Sequence, residues 1–170
     1  NHSGWLSPDG RTYAFIDETK GTKVKICRWT TDLSSISIVD YCATRSYQDY
    51  EPHNVILLDN LAFVAYYNEG FRIYDISRGP FREIGMYDTF PTGTNYKLNG
   101  AWGLYVFPEK DQIIVSDRQN GLFLFSFPIR TFNSPNQKTY VSSTPFITAN
   151  SILVPRTHLG DNQLTFSITT

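Results

Sequence analysis

Imidazoles, carboxylates and one guanidinium recur in this sequence at the ends of short apolar runs. His2 stands just before Ser3-Gly4-Trp5-Leu6, His53 before Asn54-Val55-Ile56-Leu57, and Asn99 with Gly100 before Ala101-Trp102-Gly103-Leu104. Asp17 and Glu18, Asn68 and Glu69, and Asp117 and Arg118 each follow the next apolar run. Imidazole nitrogens with carboxylate oxygens suit zinc, manganese or iron, whereas carboxylates with carbonyls suit calcium. The pattern therefore makes all of these residues candidates for a polar ligand site, with His2, His53 and Asp117 as the ligand set for a divalent metal. The competing reading gives each histidine a single hydrogen bond that fixes a junction between units, repeated because the architecture repeats. Two histidines with no fixed short spacing leave both readings open.

Other chemistries find no support. There is no Gly-x-Ser-x-Gly elbow, no Walker loop and no dinucleotide fingerprint. Ser3 beside His2 is adjacency in sequence without a triad's geometry. Asp17 and Glu18 point to opposite sides of an extended chain, which does not make an acid/base pair. No catalytic residue is assigned, and no cofactor beyond the metal.

The elements that must position these side chains repeat. Three segments share one grammar: HSGWLSPDGRTYAFIDE followed by KVKICRWT; PHNVILLDNLAFVAYYNEGFRIYDIS; and NGAWGLYVFPEKDQIIVSDRQNGLFLFSF. Aligned on residues 25–30, 72–77 and 122–127, they repeat at roughly 47 to 50 residues, a spacing found in propeller blades. Runs such as Thr12-Tyr13-Ala14-Phe15-Ile16 and Gln112-Ile113-Ile114-Val115 are short, β-rich and bounded by turns. Pro8-Asp9-Gly10, Asp59-Asn60 and Pro108-Glu109-Lys110-Asp111 supply tight connections, and Gly70 and Gly121 suit positive φ in the next turns. No stretch sustains a helical period.

The expected fold is all-β: a partial β-propeller of about three four-stranded blades, near residues 1–48, 49–97 and 98–129, with a β-rich tail over 130–170. That tail, with β-like pieces at 138–141, 151–154 and 163–169, either closes the ring or opens a C-terminal domain. In a propeller, outer-to-inner connections and second-to-third-strand turns emerge on one face. The candidate residues would then ring the mouth of the central channel. Trp5 and Trp102 are expected to pack between blades, Trp29 to be core, and at least half of Tyr66, Tyr67 and Tyr105 to be core.

Composition narrows the partners. The chain has 170 residues, a net charge of −1 and an aromatic share of 15%, which suits pleated sheets. Near-neutral, mixed charge gives no basic stripe for nucleic acid or for an anionic membrane. No apolar run approaches the ~18 residues of a transmembrane helix. Cys27 and Cys42 end strand-like runs, so they are either a cross-strand disulfide or two half-buried thiols.

The strings HSGWLSPDGR, PHN, NEGFRIYDIS, REIGMYDTFP, NGAWGLYVFP and VSDRQNGLFLF resemble, in order, the C-terminal half of the choice-of-anchor B family, whose propellers are built from LVIVD repeats. The resemblance covers about residues 1–129. It implies a secreted or cell-surface protein, often with an anchoring or sorting segment, and a family without a generally assigned enzymatic activity. It also implies that the remaining blades lie upstream or on another chain. The leading expectation is thus an extracellular, non-catalytic binding or scaffolding module for a protein or glycan at the cell surface. One alternative is a metal-dependent hydrolase or lactonase with its ion at the channel mouth. The other is a structural subunit of an extracellular assembly.

Overall fold

Strict alternation of apolar residues decides which side of each strand is covered. The computed structural model describes residues 1–91, 98–132 and 148–150, and twelve strands make up most of them. Strands β1 (Ser3–Leu6), β2 (Thr12–Ile16), β3 (Val24–Trp29) and β4 (Ile36–Cys42) form one antiparallel sheet in chain order. Strands β5 (Asn54–Leu58), β6 (Leu61–Ala65), β7 (Phe71–Asp75) and β8 (Arg82–Tyr87) form the second in the same order. Strands β9 (Ala101–Phe107), β10 (Gln112–Asp117), β11 (Gly121–Ser126) and β12 (Thr148–Asn150) form the third. Among the described residues, helix is confined to a 3-10 turn at Pro108–Lys110 and one turn, α1, at Ile129–Phe132.

The three sheets stack face to face in series. On one side of the middle sheet, Val55, Leu57, Ala62, Val64 and Tyr74 pack with Ala14, Ile16, Val24 and Ile26 of the first sheet. On its other side, Ile56, Leu61, Phe63, Phe71 and Ile73 pack with Val106, Ile113, Val115, Phe123 and Phe125 of the third. Successive side chains leave opposite faces of a strand, so β6 needs apolar residues throughout, and all five of Leu61–Ala65 are buried. Among the described residues, the first and third sheets each pack against the middle sheet on one face.

The expectations for the tryptophans are corrected. Trp5, Trp29 and Trp102 are all substantially exposed; Trp102 does meet the second sheet, its ring stacked on His53, but about half of it stays open to solvent. Tyr66 and Tyr67 are buried as expected, while Tyr105 is exposed on the outer face of the third sheet.

Two further expectations change. The outermost strand of the third sheet is β12, pairing Leu124 with Asn150 and Ser126 with Thr148, so this sheet reaches beyond residue 129. The β-like pieces at 138–141, 151–154 and 163–169 lie outside the described residues. Cys27 and Cys42 are free, buried thiols rather than a disulfide. Strands β3 and β4 pair in a register that sets Cys42 opposite Val24 and Cys27 opposite Ile38. Three residues of strand at ~3.3 Å each separate them by ~10 Å, beyond the ~4.4–6.8 Å that a disulfide spans between Cα atoms.

Candidate functional site

The two turn classes expected on one face do meet there. His2 immediately precedes β1, His53 immediately precedes β5, and Glu18 lies two residues beyond β2. One nitrogen or carboxylate oxygen from each of these residues lies within 4.8 Å of the others. His2 Nε2 is 3.1 Å from His53 Nε2. His53 Nε2 is 3.6 Å from a Glu18 oxygen, and His2 Nδ1 is 2.9 Å from the other. A tetrahedral ion with ligands at ~2.1 Å has ligand–ligand edges of about 3.4 Å, so the first two separations already bracket that edge.

The tautomers follow from the partners. His53 Nδ1 lies 2.6 Å from the Trp102 carbonyl oxygen, which can only accept, so Nδ1 carries the proton and Nε2 presents a lone pair. Orientation of a ligand imidazole by a backbone carbonyl on its far nitrogen is the usual outer support of a metal-binding histidine. With that tautomer, His2 Nε2 is the donor to His53 Nε2, and His2 Nδ1 lies beside the Glu18 carboxylate. The two His2 ring nitrogens thus face His53 and Glu18, the groups that a cation would share with it. Burial holds the His53 pKa below its ordinary value, against the Trp102 carbonyl and Glu18, which pull it up. Neutral imidazole is the form that ligates.

Tyr67 completes the cluster, and sequence reasoning assigned it only to the core. Its buried hydroxyl donates to Glu18 Oε1 in a short contact. Its backbone exchanges both hydrogen bonds with Ala101, at 2.9 and 3.0 Å, tying the second sheet to the third. Glu18 and Tyr67 both adopt left-handed φ, 47° and 40°, which is uncommon for residues with a side chain. Such strain persists where surroundings over-determine it, and it concentrates at functional sites. Gly100, at φ 89°, is required here, since a Cβ would run into the Tyr67 carbonyl oxygen. The one sequence-level signal for Tyr67 was its place beside Asn68, in the turn of the second unit that corresponds to Glu18 in the first.

Aromatic rings border the cluster. His53 lies between His2, with ring centroids 4.6 Å apart, and Trp102, stacked at 4.7 Å and 25°. Trp102 is about half exposed, so it offers an apolar face beside the potential ligands.

The remaining candidates are engaged in structure. Asp117, expected as the third metal ligand, is corrected to Glu18: it is buried at the end of β10, where its Oδ1 accepts from the Gln119 and Asn120 backbone N–H groups at 2.8 and 2.7 Å. The short Asp side chain closes its own turn, as Asx residues do. Asp17 pairs with Lys25, which is the main cause of its lowered pKa. Glu69 accepts from Arg72 Nη2 at 2.9 Å, and Arg72 also meets Glu83 at 3.3 Å. Asn68 and Asn99 lie together, with the Asn99 N–H 3.4 Å from the Asn68 side-chain oxygen, and Gln119 Nε2 donates to Asn99 at 2.6 Å. Arg118 donates to the Leu98 carbonyl.

No family model matches the sequence, and no curated protein sequence matches it. Among solved structures, the fold is similar to that of a candidate 6-phosphogluconolactonase from Bacteroides uniformis, at 13% identity and a TM-score of 0.58, over 87% of this chain and 39% of that one. A periplasmic gluconolactonase of Pseudomonas aeruginosa matches at 13% identity and a TM-score of 0.37, over 73% of this chain and 52% of that one. The chain thus spans well under two thirds of either structure. At this identity the first likeness speaks to fold alone. No helix among the described residues is long and apolar enough to cross a membrane.

Proposed function

We propose that the three sheets are consecutive blades of a β-propeller, and that their shared end carries the divalent-metal site of a hydrolase acting on a lactone. The observation that carries this is the convergence of His2, Glu18 and His53, with the His53 lone pair already aimed by the Trp102 carbonyl. Three protein ligands leave a coordination position open, which is the arrangement of catalytic rather than structural zinc sites. His2, Glu18 and His53 would hold the ion, which would supply a Lewis acid for the ester carbonyl and lower the pKa of a water beside it. Water adds its oxygen to the carbonyl carbon, the ring C–O bond breaks, and the ring oxygen leaves as the hydroxyl of the hydroxy acid. Trp102 gives the substrate ring an apolar face to lie on.

The lactone class is supported by the name of the Bacteroides uniformis protein whose fold this chain shares. An extracellular location is supported by the choice-of-anchor B resemblance. The test uses the whole protein: elemental analysis after purification, then hydrolysis of glucono-δ-lactone followed by proton release, with and without chelator. The reading expects stoichiometric metal and activity lost in both chelator and Glu18→Gln. A protein that retains no metal from a metal-supplemented buffer overturns it.

A further inference from the structure

The opposite ends of the same sheets hold a second site. Each β1-type strand runs from the metal cluster to a turn, so Ser7–Arg11 and the Asp59-Asn60 hairpin lie at the far end from His2 and His53. A groove of about 460 Å³ opens there between the first and second sheets. Its walls include Asp9, Arg11, Arg28, Trp29, Asp59 and Asn60. The volume lies within the ~300–1,000 Å³ typical of small-ligand clefts.

We propose that this groove binds a neutral saccharide. Trp29, at the end of β3, supplies the apolar wall: it is 37% exposed, and its backbone N–H is fixed on the Arg11 carbonyl at 3.2 Å. A pyranose presents C–H faces that stack on such a ring while its equatorial hydroxyls remain free to hydrogen-bond. Two of the charged groups around Trp29, Arg28 and Asp9, are held in place before any ligand arrives. Arg28 Nη2 donates to the Ile76 carbonyl at 2.5 Å and its guanidinium lies over the Phe81 ring at 5.8 Å. Asp9 accepts from Ser7 Oγ at 2.5 Å and from the Arg11 N–H at 3.0 Å, contacts that lower its pKa and keep it ionised. Asp59 sits in a two-residue hairpin at φ 51°. Side chains already fixed lose little further entropy on binding.

Charge selects the ligand class. Two carboxylates and two guanidiniums cancel, giving a dense set of donors and acceptors with no net charge. That suits a polyol, and it gives no advantage to a phosphate or an acidic peptide, which would have to meet Asp9 and Asp59.

The test titrates the whole protein with four probes: methyl β-glucopyranoside, methyl β-galactopyranoside, methyl α-mannopyranoside and N-acetylglucosamine. Tryptophan fluorescence and saturation-transfer NMR report binding. At least one probe should bind saturably with a Kd in the millimolar range, weakened about tenfold or more by Trp29→Ala. Asp59→Gly, which keeps the left-handed turn and removes the carboxylate, should weaken it as well and guards against a misfolded tryptophan variant. His53→Ala in chelator should leave it unchanged, which separates this site from the metal cluster. The proposal fails if none of the four binds, if both groove variants bind as the parent does, if binding disappears with His53→Ala, or if a polyglutamate peptide binds in their place.

Discussion

Replacing Tyr67 with Phe removes one oxygen from a buried ring and leaves the shape of the core intact, so it isolates the bond to Glu18. A hydrogen bond to a charged group contributes about 1.5–3 kcal/mol. At ~1.4 kcal/mol per decade that corresponds to roughly a 10- to 150-fold loss of metal affinity. Loss of an outer-shell partner independently suggests about 10- to 100-fold. The Glu18 side chain is 24% exposed, so water can replace part of the lost bond. The expected loss is therefore in the lower part of these ranges, about 10- to 30-fold. Burial first, and then the Glu18 carboxylate, push the Tyr67 hydroxyl well above its ordinary pKa, so it remains a donor throughout the neutral range. The affinity–pH profiles of parent and variant should consequently run parallel. Zinc titration by calorimetry against a competing chelator measures both quantities, with near-ultraviolet circular dichroism confirming the fold. A folded variant that binds zinc as tightly as the parent refutes the role given to Tyr67.

Four further outcomes follow from the same geometry. Glu18→Gln should lose metal binding while remaining folded, seen as loss of the zinc-binding heat in calorimetry with an unchanged near-ultraviolet circular dichroism spectrum. His53 is held below its ordinary pKa of 6.5, so below that pH the unfolded chain takes up a proton that the folded chain resists. Stability therefore falls as pH drops through the window beneath 6.5, and His53→Asn should flatten the dependence of Tm on pH there. Gly100→Ala introduces a side chain at φ 89° against Tyr67; left-handed strain of about 1–2 kcal/mol alone should lower Tm by roughly 2–8 °C. The denatured, unreduced protein should titrate two thiols, and the native protein should react slowly, since burial raises the pKa of both Cys27 and Cys42.

Strands were legible because burial on both faces writes itself into composition: Leu61-Ala62-Phe63-Val64-Ala65 can be little else than a covered strand. Turns were legible where glycine supplies positive φ, as at Gly10 and Gly70. What side chains cannot announce is how far a junction between sheets is covered, so Trp5 and Trp102 read as packing residues while both stay substantially exposed, Trp102 with only its His53 side stacked. Nor can they announce register: Cys27 and Cys42 look pairable until the β3–β4 alignment sets them three positions apart. Strand β12 is absent from the repeat grammar because it returns from beyond α1, and no local pattern encodes so distant a pairing. The metal-ligand error has a similar origin. Asp117 and Glu18 are both carboxylates past a strand, but only the structure distinguishes the shorter one, folded back on the Gln119 and Asn120 amides, from the longer one that reaches two imidazoles.

Repetition explains how such a site can arise at all. Each unit provides two equivalent backbone positions at the same end: one immediately before its innermost strand, another two residues beyond its second strand. The first unit fills them with His2 and Glu18, the second with His53 and Tyr67, and the bends at Glu18 and Tyr67 are nearly the same, φ 47° and 40°. Because the sheets stack in series, equivalent positions face one another across each junction, so a difference in side chain between repeats becomes a donor–acceptor pair. The third unit has Gly100 and Gln119 at these positions, and there the Gln119 side-chain oxygen accepts from the Gly100 N–H at 2.8 Å. With glycine in place of histidine, the pair stitches its own sheet end together and has no ligand atom to spare. The same backbone positions therefore build chemistry between the first and second sheets and only structure in the third, which is why three dissimilar residues far apart in sequence, and not a contiguous motif, define the site.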